Sequence, residues 1–259
     1  GGSTPAGLGR LMRTFLHRFS TVYGSGSGFL SYHFVGLCGL IFLLSLGATA
    51  FGIAVALVAA SVSSNFAGSS ILERIPASAL LLLVACSGLF NDFRLSALIL
   101  VGALVATPLI AAIGERGSTS LLLQTARILG GWLPAGIAAS SLITLALRDA
   151  SSAGLLLVLI FFHDLGLELC GSRRPRHQFA PVVAIGGSLT LLWTSVQLSV
   201  SSISPNDYLV FACVLGIAIL LGRLMMRLLV ARDGQRASLL ASHVVVAPLW
   251  TAAEVALNL

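Results

Sequence analysis

Residues Phe161–Pro181 read FFHDLGLELCGSRRPRHQFAP. An apolar run meets an acid, Asp164, and is followed by Arg173, Arg174, Arg176 and His177 before Pro181. A carboxylate and three guanidinium groups gathered at the end of an apolar run need a physical reason. They either anchor the chain at a membrane boundary or handle a phosphate, because arginine makes bidentate contacts to phosphate oxygens. His163 and His177 flank the same stretch.

The rest of the chain supplies the membrane. Of 259 residues, 57% are hydrophobic and only 9% are charged, with a mean hydropathy of +1.00. Soluble domains carry roughly 25% charged residues, so this chain cannot cover a soluble surface. Long apolar runs without two-residue alternation favour helices over a barrel. The expected fold is all-α, a polytopic transmembrane helix bundle.

Candidate spans are Pro76–Phe90, Leu95–Ile113, Ile128–Leu147, Ser152–His163, Phe179–Val200, Tyr208–Gly222 and Val244–Leu257, preceded by a longer apolar run at His33–Phe66. As one helix that run would measure about 50 Å, against a hydrocarbon core of about 30 Å. Three basic clusters help to divide it: Arg10/Arg13/Arg18, Arg173/Arg174/Arg176 and Arg223/Arg227/Arg232/Arg236. Placing all three on one membrane face requires His33–Phe66 to contribute two short spans, broken near Ser45–Ala48, for about nine in all. Gly130-Gly131-Trp132-Leu133-Pro134 reads as a helix break, and Gly186-Gly187 as a second. The abundance of glycine, 27 residues, suits close helix packing in a bilayer.

The N-terminal residues 1–32 read as an interfacial basic helix and linker. Leu8, Leu11, Phe15 and Phe19 recur at helical spacing against Arg10, Arg13 and Arg18, a pattern that lies flat on a membrane. Residues 33–259 form the expected transmembrane bundle. The first residues are Gly-Gly-Ser without Met, and no acid precedes Glu73. An acid-poor, arginine-bearing start resembles the remainder of an organellar presequence. The expected location is an organellar inner membrane, mitochondrial before plastid, with a bacterial plasma membrane as the alternative.

Several chemistries are excluded or weakened. All fifteen cations are arginine and there is no lysine, which removes lysine-dependent mechanisms and the P-loop. No GxSxG nucleophile setting occurs. Cys38, Cys86, Cys170 and Cys213 are scattered singly, so they read as small apolar packing residues and not as metal or redox ligands. The histidines lack zinc-ligand spacing. No basic patch with interleaved aromatics points to nucleic acid. The net charge of +6 serves topology and anionic headgroups instead.

At Phe161–Pro181 the chain resembles the phosphatidate cytidylyltransferases, or CDP-diacylglycerol synthases. Those enzymes carry, at a span end, an Asp with a small-residue pair, a Gly-Arg, another Gly and a basic-His-Lys-Leu-Ala-Pro tail. Asp164, Gly166, Gly171, Arg176, His177, Ala180 and Pro181 fall in register with it. Gly131–Pro134 and Leu147-Arg148-Asp149 resemble the family's approach to that segment. Gly222–Arg236 is similar to its G-D-L-x-x-S-x-x-K-R block, and Leu239–His243 to its L-L-P-G-H-G-G segment. The resemblance covers residues 130–259.

The departures are specific. Pro181 is followed by Val182-Val183-Ala184-Ile185-Gly186-Gly187 where the family has S-P-x-K-T-x-E-G. The family's acid in the G-D-L block is Arg223 here, its Ser is Arg227, and its Lys-Arg pair is Val230-Ala231. After His243 its glycines are Val244 and Val245, and its following acid and base are Pro248 and Leu249. In the family those acids hold divalent metal and those bases bind nucleotide phosphates. Losing one such clamp group typically costs ~10²–10³ in rate, and here several are missing together.

The resemblance therefore implies a pseudoenzyme with no catalytic residues, no metal and no cofactor, serving as an accessory subunit of a larger membrane complex. Asp164, Gly171, Pro181 and His243 would be the residual family residues. Arg173, Arg174, Arg176 and His177 would hold an anionic phospholipid phosphate. The alternative is an active, divergent enzyme transferring CMP from CTP to phosphatidate, with Mg²⁺ held by Glu168, Asp149 or Asp233.

Overall fold

The structure is a computed structural model that describes residues 14, 30–63, 71–114, 120–171, 179–229 and 237–257. Among the described residues it is all-helical, with no strand. Nine helices run α1 Leu30–Leu46, α2 Ala48–Ser63, α3 Ile71–Ser87, α4 Phe93–Gly114, α5 Leu121–Arg148, α6 Ala150–Gly171, α7 Ala180–Gln197, α8 Tyr208–Leu229 and α9 Ala237–Leu257. Five apolar segments, in α3 with its following turn and in α4 to α7, are long and apolar enough to cross a membrane. The chain is an integral membrane protein by that criterion.

Helix ends follow from local chemistry. The apolar run at His33–Phe66 is divided at Gly47, whose φ of 131° is open to glycine alone. Asp92 starts α4 by accepting from the backbone N–H groups of Arg94 and Leu95 at 2.8 and 3.3 Å. Ser120 accepts from the Leu123 N–H at the start of α5. Asp149 alone separates α5 from α6, and its Oδ1 accepts from the N–H groups of Ser151 and Ser152 at 2.9 and 3.2 Å. Each carboxylate or hydroxyl occupies orphan donors that no intrahelical carbonyl reaches.

Two expected breaks are absent. Helix α5 continues through Gly130–Pro134, and α7 continues through Gly186-Gly187. A proline ring crowds the carbonyl four residues earlier. For Pro134 that carbonyl belongs to Gly130, and the helix nevertheless runs on to Arg148. Helix α6 also runs further than expected, to Gly171, which places Asp164 two turns inside the helix and not at its end.

The described chain forms two compact units. One is built from the described parts of Gly1–Leu37 and Leu157–His243, the other from Cys38–Leu156 and Val244–Leu259. In the second unit α3 packs along α5 on small residues. A side chain at Gly136 would sit in van der Waals contact with Val84 and Leu81, and one at Gly88 would collide with the Ser140 backbone. Ala77, Leu81, Ala85, Trp132, Ile143 and Ala146 are buried there. The Trp132 Nε1–H donates to Thr107 Oγ1 at 3.0 Å, and both residues are fully buried, which fixes α5 against α4. Helix α4 leaves Leu98, Val101, Val105 and Leu109 exposed, the composition expected of a face turned to acyl chains.

The first unit uses the same device. At Gly166 of α6, an added Cβ would lie 2.8 Å from the Ala184 Cα of α7. Ser188 Oγ donates to the Leu159 carbonyl at 3.2 Å or to that of Ala184 at 3.1 Å. Helix α8 joins through Trp193 and Tyr208, edge to face at 5.0 Å between ring centroids.

Candidate functional site

Asp164 sits on α6 with its side chain 9% exposed. A carboxylate in an apolar helix is tolerated when donors meet it. Two do so on the same oxygen. His163 Nδ1 lies 3.1 Å from Asp164 Oδ1, and His163 is fully buried. Arg223 Nη2 of α8 lies 3.6 Å from that Oδ1, with the Arg223 side chain 4% exposed. The charge pair joins α6 to α8 within one unit.

Local sequence explains how these groups arrive. The Gly166 contact brings α6 against α7, and the Trp193–Tyr208 contact brings α8 against α7. The apolar helix α8 then carries Arg223 inward near its C-terminal end, with Leu215, Ala218 and Ile219 buried on preceding turns. Deep burial of an arginine is rare without a carboxylate partner, and Asp164 supplies it.

The other expected site residues are distributed as follows. Pro181 is buried in the first turn of α7, a position where its missing N–H costs no helical hydrogen bond. Gly171 is the last residue of α6, and His243 lies within α9. The side chain of His243 and all of Arg173, Arg174, Arg176 and His177 lie outside the described residues, as do Asp233 and residues 1–29 apart from Thr14. Among the described residues, Arg223 is a cationic partner of Asp164.

These residues do not fit a divalent cation. A metal at Asp164 Oδ1 would sit against a guanidinium and an imidazole nitrogen on the same oxygen. Magnesium sites instead gather carboxylates and substrate oxygens. Among the described residues no group of three His, Cys, Asp or Glu side chains could enclose an ion.

Two further polar sites are buried in the second unit. Glu73 of α3 pairs with Arg127 of α5 at 3.7 Å. Ser152 of α6 donates to Glu254 Oε2 of α9 at 2.9 Å and accepts from the Trp250 Nε1–H at 3.1 Å. Sequence reading did not single these out. Glu254 and Glu73, each an acid in an apolar helix, are the signals that could have pointed to them, since an intramembrane acid needs a named partner.

Comparison of the chain with protein-family models, with curated proteins and with solved structures returns no match.

Proposed function

We propose that this protein is a non-catalytic, phosphatidate cytidylyltransferase-like membrane protein of about nine spans that serves as a structural, lipid-binding accessory subunit of a larger membrane complex. The observation that supports this reading most is the Asp164–Arg223 pair, 3.6 Å apart and buried. The carboxylate in register with the family's span-end Asp is neutralised from within. The arginine that does so stands where the family carries its second acid. Cytidylyl transfer needs cations against several phosphates at once, and here one cation is spent on the protein's own carboxylate.

The crossing count has an electrostatic consequence. If each described helix crosses once, Arg94 and Arg148 share one face with Asp92, Asp149, Asp207 and Glu254. Every other arginine falls on the opposite face. That face is the one expected to meet the cytoplasm or its organellar equivalent and its anionic lipids. Arg173, Arg174, Arg176 and His177 belong to it, and are assigned the lipid phosphate.

The test is a cytidylyltransferase assay of the purified protein with CTP, phosphatidate and Mg²⁺, beside isolation of the native particle. The expected results are no turnover above background and recovery of the chain with stoichiometric partners. Turnover that Asp164→Asn abolishes would overturn the non-catalytic reading. Recovery as a lone chain would overturn the subunit reading.

A further inference from the structure

The second unit contains a half-open cavity of about 230 Å³ between α3, α4, α5 and α9. Its walls carry hydroxyls from Ser87, Ser96, Ser140, Ser141, Thr144 and Thr251. No charged residue lines it among the described residues.

The hydrogen bonds decide what these hydroxyls offer. Ser87 Oγ donates to the Val84 carbonyl at 2.6 Å, and Ser96 Oγ to the Ser87 carbonyl at 3.3 Å. Thr144 Oγ1 donates to the Gly88 carbonyl at 3.4 Å. Thr251 Oγ1 donates to the carbonyls of Ser141 or Ala247 at 3.1 and 2.9 Å. Ser87 and Ser140 lie 3.3 Å apart. Since Ser87 has spent its one proton, Ser140 is the donor in that pair. A hydroxyl has one proton and two lone pairs, so these five groups face the cavity as acceptors.

The polarity is also graded. The hydroxyls lie toward the turn between α3 and α4. One helical turn deeper on each helix stand Val84, Leu100, Ile137 and Pro248. An occupant must therefore be uncharged, must donate a hydrogen bond at the shallow end, and must be apolar at the deep end. Phosphate and carboxylate would meet mostly lone pairs, with the Ser141 hydroxyl as a single neutral donor and no cation, and a cation would find no carboxylate in the wall. The volume holds roughly seven or eight water-sized groups, the head of an amphiphile and not a whole drug-sized molecule.

We infer that this cavity binds the hydroxyl-bearing head of a neutral lipid alcohol, of the diacylglycerol or sterol class. The inference requires only that the chain lies in a membrane and does not rest on the pseudoenzyme reading.

The experiment uses the full chain in lipid nanodiscs with three photoreactive probes: a diazirine-bearing diacylglycerol, a diazirine-bearing sterol and, as the anionic control, a diazirine-bearing phosphatidate. Saturable labelling of α3, α4, α5 or α9 peptides by one neutral probe is expected, and competition by unlabelled lipid identifies which alcohol is bound. Ala97→Phe, at an exposed cavity-lining position, should abolish that labelling. Ser96→Ala should weaken it ~5-fold, the value of one hydrogen bond near 1 kcal/mol. Thermal unfolding of each variant checks the fold, and Ser96→Ala keeps the test decisive if Ala97→Phe unfolds. Equal labelling by phosphatidate, labelling unchanged in both variants, or no saturable labelling by either neutral probe would overturn the inference.

Discussion

Arg223 of α8 and Asp164 of α6 meet at 3.6 Å with both side chains withdrawn from the surface. A buried pair of this kind contributes little over an apolar pair of the same shape. Removing one member is what costs, because the other is left as an uncompensated charge. Arg223→Leu or Asp164→Leu should each destabilise the protein by about 3–5 kcal/mol. The double variant Asp164→Leu/Arg223→Leu should recover most of that loss, since no charge is left unpaired, short of about 1 kcal/mol for the lost His163–Asp164 hydrogen bond. Thermal unfolding of the three variants in one detergent checks this. A double variant as unstable as the sum of the singles would show that the two residues act separately.

The closeness of α6 and α7 rests on Gly166. A methyl there would stand 2.8 Å from the Ala184 Cα, a backbone atom that cannot turn aside as a flexible side chain would. Gly166→Ala should cost about 1–3 kcal/mol through overpacking. Gly187→Ala, on the same pair's α7 but facing nothing within 4 Å, should be neutral or slightly stabilising, because alanine is the better helix former. The two unfolding midpoints, measured side by side, separate packing from backbone entropy.

How far the sequence reached can be followed through particular residues. The break at Gly47 was legible because run length alone exceeds one bilayer crossing, and glycine was the residue able to turn there. Pro134 misled, since a proline within a long apolar helix need not end it, and α5 runs through it to Arg148. Asp164 stood out as an acid in an apolar run, but its partner did not. Arg223 lies two helices further along the chain, and only the stacking of α6, α7 and α8 brings them together. The hydroxyl cavity was invisible for a similar reason. Its serines and threonines are unremarkable within each helix and form a graded wall only through the register of α3, α4, α5 and α9.

Thr107 and Trp132 give a cleaner measure of one hydrogen bond inside this unit. The indole N–H reaches Thr107 Oγ1 at 3.0 Å, and that hydroxyl in turn donates to the Ala103 carbonyl at 2.8 Å. Thr107→Val keeps the shape and removes the acceptor, leaving a fully buried indole donor unmet. The expected loss is about 1–3 kcal/mol, accompanied by a shift in tryptophan fluorescence. Thr107→Ser, which keeps the hydroxyl, should restore the spectrum and lose only the packing of one methyl, about 1 kcal/mol.

Ser152 is the hub of the second buried network, since it accepts from Trp250 and donates to Glu254. Its own backbone N–H is held by Asp149, so the hydroxyl is fixed at the N-terminal end of α6. Ser152→Ala deprives a buried indole donor and a buried carboxyl oxygen together and should cost about 2–4 kcal/mol, near the upper range for one lost polar group. Glu254→Gln keeps an acceptor for the Ser152 proton and should cost less than 1 kcal/mol if the hydrogen bond, and not the charge, is what holds α9 to α6. Glu254→Leu removes the acceptor and should fall between the two. Ranking the three by unfolding midpoint tests the assignment, and a loss in Glu254→Gln as large as in Ser152→Ala would show that the carboxylate's charge at the α6 N-terminus carries the interaction instead.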